Sequence, residues 1–222
     1  MRLSGATVEC VVDFPPVDGS RLVQDMSTIA PSTRAAAFSE TRNRIVSASY
    51  ELFSQRSTRD VAMDEVVAVS GVAKATLYRH FATKDDLVLA FLERREEVWT
   101  LGVVEGGAMA RADDPEGRLL AIFDVFDEWF QRDDYEACTF VNVLLEMGAD
   151  HPLGRASAGY LSNIRGMVSR FAEDAGLRDP EEFAFSWHIL MKGSIVQAAE
   201  GDRRAAVRAQ TMGAALIESY RA

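Results

Sequence analysis

From Ser39 to Tyr220 the apolar residues return at steps of three and four, and no segment alternates apolar with polar over the length of a strand. A chain with that one period buries its stripes only by laying helix against helix, so the expected fold class is all-α. Ile45, Ala48, Leu52 and Phe53, with Val46 and Ser49 beside them, mark a first helix opening near Ser39. Met63, Val66 and Val67 mark a short second helix closed by Ser70-Gly71-Val72, since glycine most readily takes the positive φ of a tight interhelical turn. A third short helix spans Ala73 to His80 around an inward Leu77, and Phe81 closes the unit. Thr83-Lys84-Asp85-Asp86 has the composition of a capping box and predicts a long helix through Leu87, Ala90, Phe91, Arg94 and Val98.

Past Leu101 the stripes continue. Leu119, Ile122, Phe123, Phe126, Trp129 and Phe130 form one, and Phe140, Val143, Leu144 and Met147 a second, with Asp133-Asp134 between them. After Asp150-His151-Pro152 a third holds Leu161, Ile164, Met167, Val168 and Phe171. Asp179-Pro180-Glu181-Glu182 opens a helix carrying Phe183, Trp187, Leu190, Met191 and Ile195, because proline suits the first helical position and acids the first turn. Gly201-Asp202 ends it, and a last helix runs from Arg203 to about Tyr220. Residues 1–38, with Pro15, Pro16, Gly19 and Pro31 and no sustained period, are expected to be a poorly ordered extension. Met26 is a second candidate for the first translated residue. The predicted organisation is therefore extension 1–38, helical head 39–98 and helical body 99–222.

With 222 residues, 48% of them hydrophobic, the chain can bury one or two real cores. No run approaches the roughly 18 apolar residues that cross a bilayer, and Arg2 is followed by Glu9 and Asp13 rather than by the apolar stretch of a secretory leader. The expected compartment is the cytoplasm, without a membrane partner, and Cys10 and Cys138 are expected to be free thiols there. The net charge of −10 is unevenly spread: residues 34–97 hold ten Lys/Arg against ten Asp/Glu, whereas residues 98–222 hold twelve against twenty. A polyanion would repel such a body and turn the neutral head toward itself.

Two short helices joined by a glycine turn can present the second of them to the DNA major groove, about 12 Å wide, while the first crosses the backbone. In Ala73-Lys74-Ala75-Thr76-Leu77-Tyr78-Arg79-His80-Phe81 the residues other than Leu77 and Phe81 are mostly small, polar or cationic. Ala73 and Ala75 permit close approach. Lys74 suits guanine acceptors or a phosphate, and Thr76 a base edge or thymine methyl. Tyr78 and His80 are donors for phosphate oxygens, Arg79 is a further cation, and Lys84 adds its charge to the next helix's N-terminus for holding a phosphate. No Gly-rich phosphate loop, nucleophile elbow or metal-ligand spacing occurs, so no enzyme activity, cofactor or metal is expected.

The run from Ile45 to Leu87 resembles the head of the TetR family of transcriptional regulators. Gly71-Val72, Lys74, Leu77-Tyr78-Arg79-His80-Phe81 and Lys84 match its hallmark at fixed spacing, over about a fifth of the chain. Four positions depart: Ser57 stands for a usual glycine, Ala62 for a threonine capping the second helix, Ala73 for a common serine and Ala75 for a common glycine. The segment Cys138-Thr139-Phe140 to Glu146, followed by Asp150-His151-Pro152, is similar to one common in a large subgroup of the family's bodies. The resemblance implies a sequence-specific repressor released from operator DNA by a small-molecule effector, with a body that dimerises through its last two long helices. Small residues Gly193, Ala198, Ala199, Ala206 and Ala214 fit close packing there. Phe123, Phe126, Phe130, Phe140, Trp187 and Met191 are candidates to line an effector cavity, against the plainer expectation of core. Cys138 and His188 are expected to be an ordinary buried thiol and a hydrogen-bonded histidine.

Overall fold

The computed structural model describes residues 33–221, and the expectations for Cys10, Met26 and the rest of residues 1–32 lie outside the described residues. What is described is all-helical: α1 (Thr33–Gln55), α2 (Met63–Ser70), α3 (Lys74–His80), α4 (Lys84–Arg95), a π-helical stretch (Glu96–Glu105), α5 (Gly106–Arg111), α6 (Pro115–Phe130), α7 (Thr139–Met147), α8 (Pro152–Asp174), α9 (Pro180–Ala199) and α10 (Ala205–Tyr220). None of these helices is long and apolar enough to cross a membrane.

The starts follow the local chemistry. Thr83 Oγ1 accepts from Asp86 N at 3.1 Å while Asp86 Oδ2 accepts from Thr83 N at 2.9 Å, which closes the expected capping box of α4. Pro115 and Pro180 occupy the first turns of α6 and α9. Two boundaries differ from the sequence reading. α1 opens at Thr33 rather than Ser39, because Arg34, Ala35, Ala36 and Ala37 are strong helix formers that lay down no apolar stripe. The helix begun at Lys84 does not stop at Val98: it passes through the π-helical stretch into α5, with Gly106 holding right-handed helical angles (φ −61°, ψ −40°). The wider i→i+5 turn breaks the 3.6-residue stripe, so the continuation carries no clear period.

Two apolar cores result, and they do not divide at residue 98. One holds Ile122, Phe123, Phe126, Met167, Phe183 and Trp187 with Ile217, where α6, α8, α9 and α10 pack together. The other holds Ile45, Leu77, Leu87 and Phe91 of the first four helices together with Phe140 and Val143 of α7 and Leu153 and Leu161 of α8. The head thus completes its core with residues of the body. Polar contacts reinforce the joint: Ser57 Oγ donates to Glu146 Oε1 at 2.7 Å, and Arg59 donates to Glu146 O at 2.7 Å. Arg95 Nη1 donates to Tyr50 Oη at 2.8 Å and its guanidinium lies 4.9 Å from the Trp99 ring centre, tying α1 to the π-helical stretch.

Where α10 crosses α9, Gly213 allows the approach. A Cβ there would lie 2.8 Å from Trp187 Cη2 and 3.2 Å from Phe123 Cε2, both side chains being buried, with their rings tilted at 41° and 5.2 Å apart. Gly213→Ala is therefore expected to lower stability by about 1–3 kcal/mol, read as a lower midpoint in thermal unfolding followed by circular dichroism.

Candidate nucleic-acid interface

α2 ends on Gly71 in the left-handed region (φ 64°, ψ 20°), its N–H donating to Val67 O at 3.0 Å. That turn sets the angle at which α3 leaves. Seven residues of helix do not hold their shape alone, so α3 is fixed by burial: Leu77 is fully buried, with Val72 and Phe81 buried at either end. The face turned away from Leu77 carries Ala75 and Arg79, with Tyr78 at its edge, all exposed; exposed Ala73 and Lys74 stand at the helix start and half-buried Thr76 beside them.

The structure gives two of the cations partners within the head. Lys74 Nζ pairs with Asp64 Oδ1 at 2.7 Å across the turn, both groups exposed, and the carboxylate holds the ammonium above its ordinary pKa. Lys84 Nζ donates to Arg59 O at 3.0 Å, fastening the loop after α1 to the start of α4. His80 departs from its expected pose. Its ring lies 4.0 Å from that of Phe38 on α1, and both ring nitrogens are buried without a hydrogen-bond partner. Burial, then the charges of Arg79 and Arg42, pushes its pKa down, so it packs as a neutral ring rather than presenting a donor outward. The reason is geometric: His80 follows Leu77 by three positions and turns toward α1 with it.

At the start of α2, Ala62 N donates to Glu65 Oε1 at 2.8 Å, but alanine returns nothing to the helix's free N–H groups. Half of a capping box is made. The Ala62 hydrogen bond and then Arg56 hold the Glu65 carboxyl below its usual range. Ala62→Thr is expected to complete the box and add about 0.5–1 kcal/mol of stability, measured by urea unfolding, with Ala62→Val as the control lacking the hydroxyl.

Of the six apolar candidates of the body, Phe123, Phe126, Phe130, Trp187 and Met191 share one core, but the six do not line one cavity. Phe126, Phe140 and Met191 line a small cavity of about 30 Å³. Phe123 and Trp187 instead pack on each other and over Gly213, and Phe130 packs against Trp129 and Tyr135. The cavity also takes in Trp99, Thr100, Trp129, Cys138, His188 and Lys192. His188 is not the hydrogen-bonded residue expected: it is 4% exposed, its Nδ1 has no partner, and burial followed by the charges of Lys192 and Arg165 lowers its pKa to about 3. Burial also raises the Cys138 thiol pKa, which keeps it protonated. Trp99 and Thr100 escaped the sequence reading because they lie in the π-helical stretch. Lys192 offered a signal, as the only lysine beyond Lys84.

A short exposed helix set by a left-handed glycine turn, on an all-helical body that shares its core, forms a helix-turn-helix unit. Residues 45–91 match the family described as bacterial regulatory proteins, tetR family. The chain is 33% identical over 94 residues to the HTH-type transcriptional activator FasR of Mycolicibacterium smegmatis, covering 42% of each chain. To an uncharacterized HTH-type transcriptional regulator of Mycobacterium tuberculosis it is 27% identical over 170 residues, 74% of this chain and 80% of that one. The crystal structure of a TetR-family transcriptional regulator from Streptomyces coelicolor superposes with a TM-score of 0.73 at 22% identity, over 83% of this chain and 97% of that one, and so shares the fold. The chain thus resembles the TetR family in sequence over residues 45–91 and in fold over 83% of its length.

Proposed function

We propose that the protein is a homodimeric repressor that binds a near-palindromic operator through α3 and is released by a small-molecule effector held in the body. The observation that carries this reading is the surface of α3, on which Lys74, Ala75, Tyr78 and Arg79 are all exposed while Leu77 is fully buried. Lys74 exchanges Asp64 for a guanine edge or a phosphate, Tyr78 and Arg79 donate to phosphates, and Ala73, Ala75 and Thr76 let the helix sit deep in the groove. His80 and Lys84 support this surface from behind, through Phe38 and Arg59. The head corresponds to residues 33–98 and acts in the compartment that holds the chromosome.

Dimerisation has a candidate face. Phe185, Ile189 and Val196 on α9 are 55%, 71% and 51% exposed, and Val207 and Met212 on α10 are 38% and 59% exposed. Gly193 lies among them with nothing within 4 Å of the place a Cβ would occupy. These positions form an apolar stripe along two adjacent helices, which suits a four-helix bundle with a second copy. Ala206 is not part of it, being fully buried within the body. Two copies then place two α3 helices in successive major grooves about one helical turn apart.

Gel shifts with DNA flanking the protein's own gene test the DNA reading. Selective binding is expected to weaken steeply with salt and to be lost in the Lys74→Ala, Tyr78→Ala double variant; retention of binding by that variant overturns the assignment of α3. Ile189→Glu is expected to convert the dimer to monomer in sedimentation velocity while the helical circular dichroism is kept. Since FasR is named an activator, a reporter driven by the bound promoter fixes the sign, repression being expected.

A further inference from the structure

We propose that the cavity under the π-helical stretch is the effector site and that it is built for a small monocarboxylic acid with an apolar body, the carboxylate being held by Lys192, His188 and Thr100. The inference rests on the proposed effector control and specifies the chemistry of the effector.

The walls are Trp99, Phe126, Trp129, Phe140, Leu161 and Met191, from four helices and the π-helical stretch. Polar groups inside such walls ordinarily have hydrogen-bond partners. Here they do not. Thr100, 1% exposed, has an unpartnered Oγ1, and His188, 4% exposed, has an unpartnered Nδ1. Lys192 lines the same cavity, one helical turn after His188, with no hydrogen bond or ion pair among the described residues, and burial together with Arg165 lowers its pKa. Three side chains that can donate therefore meet an apolar space whose lining contains no carboxylate. A carboxylate is acceptor-only and has about four lone-pair sites, enough for the Lys192 ammonium, the Thr100 hydroxyl and an imidazole N–H together. An alcohol offers one oxygen and no charge. A quaternary ammonium suits the tryptophans but is repelled by Lys192. The cavity of about 30 Å³ holds no more than one or two waters, so the ligand's apolar body enters by displacing wall side chains. Trp99 and Thr100 belong to the helix that continues α4 of the head, which links occupancy to the DNA-binding end.

Tryptophan fluorescence reads occupancy directly and without DNA, since two of the three tryptophans line the cavity. The full-length protein is titrated with hexanoate and phenylacetate, and with hexanol and hexyltrimethylammonium as probes of matched apolar body. The acids are expected to saturate the signal, with hexanol about tenfold weaker or worse, the loss that accompanies one charge-assisted hydrogen bond. Lys192→Met is expected to weaken the acids about tenfold and leave hexanol unchanged, and Thr100→Val and His188→Phe to weaken the acids less. Circular dichroism shows whether each variant is folded, and the comparison of acid with alcohol on the unaltered protein needs no variant. Equal binding of acid and alcohol, preference for the ammonium, no response to either acid, or a folded Lys192→Met that binds acids normally overturns the proposal. Operator affinity is measured separately. Acids that saturate the cavity yet leave operator binding unchanged sink effector control by this site while the site stands; release by a different ligand without acid binding sinks the site while control stands.

Discussion

The burial of Leu77 and Phe81 is the contact on which the rest depends. A helix as short as α3 has no stable pose of its own, and its exposed face is useful only while the buried one is anchored. The anchoring core reaches beyond the first four helices to Phe140, Val143, Leu153 and Leu161. A head of this size alone buries a modest fraction of its surface; borrowing α7 and α8 enlarges the core and makes the position of α3 a property of the whole chain. Glu146 adds a polar clasp to Ser57 and Arg59 on the same side. Ser57, a departure from the family's usual glycine, is thereby explained: its hydroxyl makes a contact that glycine lacks.

The second connection is the unbroken helix from Lys84 to Arg111. Its first turn puts Leu87 into the core that holds Leu77, and its π-helical part carries Trp99 and Thr100 to the body cavity. One covalent rod therefore touches both ends of the molecule. π-Helical turns are rare and concentrate at functional positions in helices, and this one lies where Arg95 reaches Tyr50 on one side and Trp99 on the other. Rigid packing around such a rod turns a small displacement at one end into a discrete change at the other.

Much of this was legible beforehand because periodic burial and local capping act over a few residues. The glycine turn at Gly71, the capping box at Thr83, the proline starts and the inward Leu77 all appear in the structure as the spacing predicts. Where local chemistry is silent, spacing does not mark the boundary. Alanine-rich turns at the start of α1 lay down no stripe, and a change of helical pitch after Arg95 scrambles one. The aromatic stripe of α6 is apolar throughout, and period alone cannot say that Phe126 borders a cavity while Phe123 fills the contact over Gly213.

The sequence by itself determined the all-helical class, the helix-turn-helix unit and the residues offered at its surface, since helical period, glycine conformation and side-chain chemistry are set within a few residues of chain. Only the tertiary structure decided that His80 turns inward onto Phe38, that Lys74 and Lys84 rest on Asp64 and Arg59, and that Thr100, His188 and Lys192 meet around one cavity. These are relations between side chains distant along the chain or turned by a helix's neighbours. Packing angles and the pitch of the helix after Arg95 fix them, and neither is encoded in the spacing of any one segment.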